Sequence, residues 1–393
     1  MDKSERLRVL GDITNHIAND TTADAGGIMR VPMSDFTCPE ILGQEQDAFF
    51  RNTALCMGLS GALPKPKTYW SDNETGIPIL MVRDGEGRFR AYANVCRHRG
   101  SQVAPEGRGS KECFTCPYHA WTYGVDGSLL AINKKSHFGD ISRKKLSLFE
   151  LPSAELHGML WVRPTQGDAV DEAECLGGLE DDMAHWQLTD FPFAHTQVID
   201  VRANWKMAID TFAENYHVNV LHAETVGKEM KANLQTCDIF KNNLRFVYPN
   251  QKLDLMRLMS LNMERWPYPQ IATTLYYIYP NVIMMVDGFG VDLLRFFPLE
   301  NSPSRSRTVH TWYVNPKVQP QLKEFGYSYE ERASQFGEVI VNEDYETIAK
   351  IQLNAERGTQ PEMLLGRNEA VLQHIHNVLR FGVGRDLMPV EEI

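Results

Sequence analysis

Apolar and polar positions change their spacing along this chain, and each change marks a different kind of element. Residues 1 to about 40 read as a partly helical arm ending near Pro32 or Pro39. Between Pro64 and Pro164 the apolar residues come in short runs, 77–82, 89–95 and 159–162 among them. Turn sequences such as Asp84-Gly85-Glu86-Gly87 and Tyr123-Gly124-Val125-Asp126-Gly127 separate these runs, which predicts a small antiparallel β domain. A polar, acidic connection follows over 166–182. Trp205, Ile209, Phe212, Tyr216 and Val220 then recur every three or four residues, predicting a helix with one apolar face and Asn204 as its N-cap. Strands are expected around 198–201, 244–248, 273–279, 282–286, 291–297 and 308–314, and long helices over 320–353 and 367–380. The expected class is α+β: an arm, 1–40, packing with the C-terminal domain; a small antiparallel β domain, 41–165; and an α+β domain, 166–393.

Composition narrows the function classes. A length of 393 residues suits two domains, and 43 % apolar with 23 % charged residues describes an ordinary globular chain. Forty basic against fifty-one acidic side chains leave a net charge of −11, which argues against a nucleic-acid or anionic-membrane binder. No apolar run approaches the roughly 18 residues of a membrane span, and Met1-Asp2-Lys3-Ser4-Glu5-Arg6 has no apolar signal region. Seven cysteines fit a reducing compartment better than a disulfide framework, so a cytoplasmic location is expected.

The chemistry begins in the β domain. Cys96-Arg97-His98 and Cys116-Pro117-Tyr118-His119 offer two thiolates and two imidazoles, with seventeen residues between His98 and Cys116. This is the ligand set of a Rieske [2Fe–2S] centre, in which two cysteines hold one iron and two histidines the other. The same four residues would also serve a structural Cys₂His₂ zinc site. Cys113 forms a Cys-x-x-Cys with Cys116 but reads as a small buried neighbour. Later, His217 and His222 lie five apart and so about 140° around a regular helix; a helix end or a π-bulge would be needed to converge them.

The surroundings carry a resemblance. Cys96-Arg97-His98-Arg99-Gly100 and Cys116-Pro117-Tyr118-His119-Ala120-Trp121, with Asn204-Trp205-Lys206, Asp210, Glu214-Asn215-Tyr216-His217 and His222, resemble the Rieske non-heme iron oxygenases, alpha subunits included. Asn342-Glu343-Asp344-Tyr345 with Gln352 resembles the late helix of that family, whose aspartate completes the iron site. The resemblance covers about 30–379. It implies a Rieske domain plus a helix-grip, START-like catalytic domain. Cys96, His98, Cys116 and His119 would hold the [2Fe–2S] cluster, and His217, His222 and Asp344 a mononuclear Fe(II), a two-His-one-carboxylate triad. Glu343 and Glu346 read as neighbouring acids without that role. Most of the family has aspartate where this chain has Glu214; a minority, including enzymes of quaternary ammonium compounds, has glutamate. That residue is expected to link His217 of one chain to His119 of another. His195, His310, His374 and His376 read as structural.

The implied activity uses dioxygen as co-substrate and electrons from an NAD(P)H-dependent reductase or ferredoxin. Gly288-Phe289-Gly290 lacks the context of a dinucleotide fingerprint, so that reductase is expected to be a separate protein. A homotrimer or dimer of trimers is implied, with a separate small β subunit as an option. Tyr276, Tyr277, Tyr279, Met284, Met285, Phe289 and Phe296 are mostly explained by a core, but the inner face of their sheet is also expected to line an apolar, aromatic and methionine-rich pocket above the iron. The leading expectation is hydroxylation or demethylation of an aromatic or other hydrophobic molecule, as in aromatic hydrocarbon catabolism. The alternative is monooxygenation of a carnitine-, betaine- or choline-like ammonium compound, held by cation–π attraction. From other classes come a pure electron-transfer Rieske protein and a zinc-stabilised binding module.

Overall fold

The computed structural model describes residues 1–259 and 262–392. The chain forms two compact units. One comprises Gln46–Cys175 with Leu188–Pro192; the other comprises Met1–Glu45, Leu176–Gln187 and Phe193 onward.

The smaller unit is built from short antiparallel strands. Five of them, Glu150–Leu151, Phe89–Ala93, Ile79–Arg83, Thr68–Asp72 and Gly107–Ser110, form a sheet in that order. A three-stranded sheet of Cys113–Thr115, Thr122–Gly124 and Leu129–Ala131 carries the second Cys/His loop at its first hairpin. Tyr69, Leu80, Val82, Tyr92, Phe114 and Tyr123 make a shared core beneath both loops. The Asp84 turn forms as its sequence requires: Asp84 Oδ1 accepts the amides of Glu86 and Arg88, both at 2.9 Å.

The larger unit is organised on a seven-stranded antiparallel sheet. Its order is Phe193–Val201, Ser306–Val314, Gly290–Pro298, Val282–Val286, Ala272–Ile278, Asn243–Pro249 and Thr236–Phe240. The Trp205–Ala213 helix packs on one face, where Phe212 meets Phe296 with ring centroids 5.8 Å apart. Strand alternation then sorts the other residues. Tyr277 and Met285 share the face of Phe296, whereas Tyr276 and Met284, directly paired in the ladder, point to the opposite side. There the Tyr276 hydroxyl meets Asp182 at 3.0 Å. Phe289 lies in a turn and is 56 % exposed. Only part of the aromatic and methionine set therefore shares the face that meets the helix, because neighbours on a strand cannot point the same way.

Two helices also depart from expectation. The Trp205 helix stops at Ala213, and Glu214 is extended (φ −142°, ψ 159°), so Tyr216 and Val220 are exposed rather than part of an apolar stripe. The 320–353 helix is interrupted: Gln319–Glu324 ends at a left-handed Gly326 (φ 66°), and Ser328 caps the new helix Tyr329–Val339. From there the chain passes through a π-helical turn, Ile340–Tyr345, into Glu346–Glu356.

Candidate metal centres

The first loop pair shows one design used twice. The amide of Cys96 donates to Ser101 O and that of Gly100 to Cys96 O; the amide of Cys116 donates to Trp121 O and that of Ala120 to Cys116 O. Both turns close through a left-handed residue, Gly100 (φ 84°) and Ala120 (φ 58°). His98 and His119 meet edge-on with ring centroids 4.7 Å apart, and Trp121 stacks on His98 at 5.0 Å. Asn94, fully buried, holds the base of the first loop: it donates to Ser71 Oγ and Ala104 O and accepts from the amides of Val103 and Ala104.

The electrostatics suit iron ligands. Burial pushes the Cys116 thiol up, but the amides of Tyr118 and His119 outweigh it and lower its pKa, favouring thiolate. Burial, then His119 and Arg99, lower the pKa of His98 and keep the ring neutral. A tetrahedral zinc would need all four ligand atoms close together. A second group, whose ligand atoms lie within 4.8 Å of one another, is found elsewhere in the fold. Two thiolates and two imidazoles on paired loops are the donors that a cluster with cysteines on one iron and histidines on the other requires.

That other group is His217, His222 and Asp344. Nε2 of His217 lies 3.2 Å from Nε2 of His222, and these atoms lie 3.5 and 3.3 Å from Asp344 Oδ1. A triangle with such edges accommodates a cation about 2.0–2.4 Å from each atom, the range of first-row metal ligation. The helix end at Ala213 and the one-turn helix Val218–Leu221 turn the two histidines toward each other. The π-turn carries Asp344, which is 6 % exposed, to meet them.

Each imidazole is oriented by a carboxylate on its other nitrogen. Glu214 Oε1 bonds Nδ1 of His217, while its Oε2 accepts the amides of Tyr216 and His217. Glu343 Oε2 bonds Nδ1 of His222 at 2.6 Å and accepts the Thr225 hydroxyl at 3.0 Å. With a proton fixed at Nδ1, each Nε2 presents a lone pair to the centre. Burial favours neutral His222, but Asp344 and Glu343 outweigh it and raise its pKa: the pocket attracts positive charge. In the sequence Glu343 reads as a mere neighbour of Asp344. Its spacing resembles that of any helix acid, and only the fold brings it to His222.

The remaining residues of the resemblance tie these segments together. Asn204 caps its helix through the amide of Lys206, and its own amide donates to Gln352 Oε1 at 3.0 Å. Trp205 Nε1 and Lys206 Nζ both bond Glu45, a buried set. Asn215 fixes the following loop through Lys231 O and Leu234 O. Asp210 meets His376, and His310 is held by Asp292 at 2.7 Å and by Gln197. Among the described residues, no helix is long and apolar enough to cross a membrane.

Comparison with known proteins agrees with this geometry. Residues 55–148 match the Rieske [2Fe-2S] domain, and residues 188–383 match the ring hydroxylating alpha subunit (catalytic domain). The choline monooxygenase of Spinacia oleracea is 33 % identical over 290 residues, 72 % of this chain and 63 % of its own length. The carnitine monooxygenase oxygenase subunit of Acinetobacter baumannii is 29 % identical over 192 residues, 49 % of this chain and 52 % of its own length. The match thus spans between 52 and 63 % of the length of these relatives. A crystal structure of a quaternary ammonium Rieske monooxygenase superposes with a TM-score of 0.76 at 20 % identity, covering 92 % of this chain and 98 % of that one. The naphthalene 1,2-dioxygenase of Rhodococcus sp. gives 0.72 at 17 %, covering 97 and 98 %. The expectation of aromatic hydrocarbon catabolism loses ground here: aromatic substrates enter through shared fold, whereas these sequence relatives are named for choline and carnitine. With both its iron–sulfur and its mononuclear-iron domain matched, the chain belongs to the Rieske non-heme iron oxygenases, of the alpha-subunit type.

Proposed function

We propose that this protein is the oxygenase component of a Rieske monooxygenase acting on a quaternary ammonium compound. The reading of an oxygenase rests on the convergence of His217, His222 and Asp344 with carboxylates on both imidazoles. The substrate class rests on the choline and carnitine monooxygenases named above, and Glu214 agrees with it.

The Rieske cluster, on Cys96, His98, Cys116 and His119, would supply electrons singly, and Fe(II), on His217, His222 and Asp344, would supply dioxygen activation. The chain's own residues do the rest. Glu214 and Glu343 hold a proton at Nδ1 of each histidine, which keeps Nε2 as the donor atom. Asp344 contributes negative charge in a buried place. Glu214, beside the exposed Tyr216, links His217 to His119 of a second copy, so the working form is a homotrimer or dimer of trimers. Electrons come from an NAD(P)H-dependent reductase or ferredoxin, and the location is cytoplasmic.

The test is oxygen uptake by the iron-loaded protein with a reductase, using carnitine, choline and glycine betaine against naphthalene and indole. Uptake coupled to an oxidised or demethylated ammonium product supports the reading. Coupled oxidation of the aromatics alone overturns the substrate class. No uptake with any substrate, despite both iron centres being filled, leaves an electron-transfer protein.

A further inference from the structure

A cavity of about 930 Å³ opens on the larger unit and shares no lining residue with either metal centre. Its walls are the helix Lys3–Asn19, the edge strand Thr236–Phe240 of the seven-stranded sheet and the helix Ala370–Gly382. The volume falls in the range of about 300–1,000 Å³ usual for small-molecule sites. The mouth is apolar: Ile239, Phe381 and Leu387 are each more than half exposed. Contiguous exposed side chains of this kind mark a surface that is covered in use.

The charges around the cavity are already spent on one another. Arg8 pairs with Asp12 at 2.6 Å and with Asp238 at 2.8 Å, and Arg367 Nε donates to Asp24 at 3.0 Å. On the wall, burial pushes the Cys237 thiol up to about 12 and lowers the pKa of His374, so both stay neutral. A charged ligand finds no free counter-charge here.

Two buried polar atoms of the lining have no hydrogen-bond partner among the described residues. Gln373, 4 % exposed, donates from Nε2 to Gly27 O at 2.9 Å and to Gly366 O at 3.0 Å. Those two acceptors fix which way its amide points and leave Oε1 as an acceptor without a donor. The Thr236 hydroxyl, on a side chain equally buried, is also unpartnered. Buried polar atoms are normally paired, so two orphans in one cavity point to a polar group supplied from outside the chain.

We propose that this cavity binds an uncharged, largely apolar small molecule carrying one hydroxyl, at a site separate from the mononuclear centre. The hydroxyl donates to Gln373 Oε1, and the Thr236 hydroxyl is the other polar partner that the wall offers. The apolar part covers Ile239, Phe381 and Leu387. A ketone or an ether has no proton to give Gln373, and a quaternary ammonium compound meets only carboxylates that are already paired.

The test is isothermal titration calorimetry of the full-length holoprotein with 1-octanol and with methyl octyl ether, which keeps the chain and lacks the donor. The alcohol should bind at about one site per chain, at least about fivefold more tightly than the ether, the worth of one hydrogen bond. Ala370→Trp, which fills the cavity, and Phe381→Asp, which changes an exposed side chain of its mouth, should each weaken the alcohol at least about tenfold. The exposed position of Phe381 keeps that variant folded, and an unchanged urea midpoint checks it. Equal affinity for alcohol and ether, no binding of the alcohol at 1 mM (about a quarter of its solubility), or binding untouched by both variants overturns the proposal. A change of oligomeric state in Phe381→Asp also overturns it, by making the cavity a contact between copies of this chain. Binding alone is read, so the result stands whatever the oxygenase substrate proves to be.

Discussion

His222 and Glu343 are 121 residues apart in the chain, yet Nδ1 and Oε2 are 2.6 Å apart in the fold. Glu343 thereby fixes which nitrogen of His222 faces His217 and Asp344, the neighbour proposed above as the carboxylate ligand. Glu343→Ala should weaken Fe(II) binding at the mononuclear centre about 10- to 100-fold, the usual effect of removing an orienting carboxylate. Anaerobic Fe(II) titration of protein with an intact cluster would measure it. Unchanged affinity would return Glu343 to the status of a bystander.

Asp344→Ala should act on iron content, not on sulfide. The parent is expected to hold about three irons and two sulfides per chain, and the variant about two and two. Retention of the third iron would move the carboxylate ligand elsewhere.

Glu214→Ala separates catalysis from cofactor content. Both centres should still fill, the mononuclear one at higher Fe(II) because Glu214 also orients His217. Steady-state turnover should fall at least about 100-fold if electrons pass through this carboxylate between copies. Near-normal turnover at saturating Fe(II) would remove Glu214 from the path.

The start of the Trp205 helix depends on one amide side chain. Gln352→Leu leaves the buried amide of Asn204 without its acceptor and should cost about 1–3 kcal/mol. Urea unfolding would read the loss, together with a weaker mononuclear centre, because Gln352 ties the Asp344 helix to the segment leading to His217.

His374 should make stability pH-dependent. Burial lowers its pKa below the ordinary histidine value, only partly offset by hydrogen bonds to the backbone of Lys241 and Asn242. Below about pH 6.5 the unfolded chain binds a proton that the folded chain resists, so stability present at neutral pH is lost as pH falls. Over pH 7 to 5 this group contributes a slope of at most about 1.4 kcal/mol per pH unit. Urea unfolding of the His374→Gln protein should show a flatter profile there; an identical slope would assign the dependence to another group.

The two Cys/His turns were legible in the sequence because their geometry is local. Cys96 to Ser101 and Cys116 to Trp121 each close a turn within six residues, and such turns carry their own spacing. Asn204 was legible as a cap for the same reason. His217, His222 and Asp344 were reached through resemblance, since a helical reading of the first two set them far around the cylinder. Only the tertiary structure ends that helix at Ala213, tightens the π-turn at Asp344 and brings Glu343 to His222. It also decides which face of the sheet meets the helices, whereas the division of the strand aromatics between the two faces follows from alternation alone. Local turns are encoded over a few residues; the mononuclear centre is assembled from segments whose mutual position depends on the whole core.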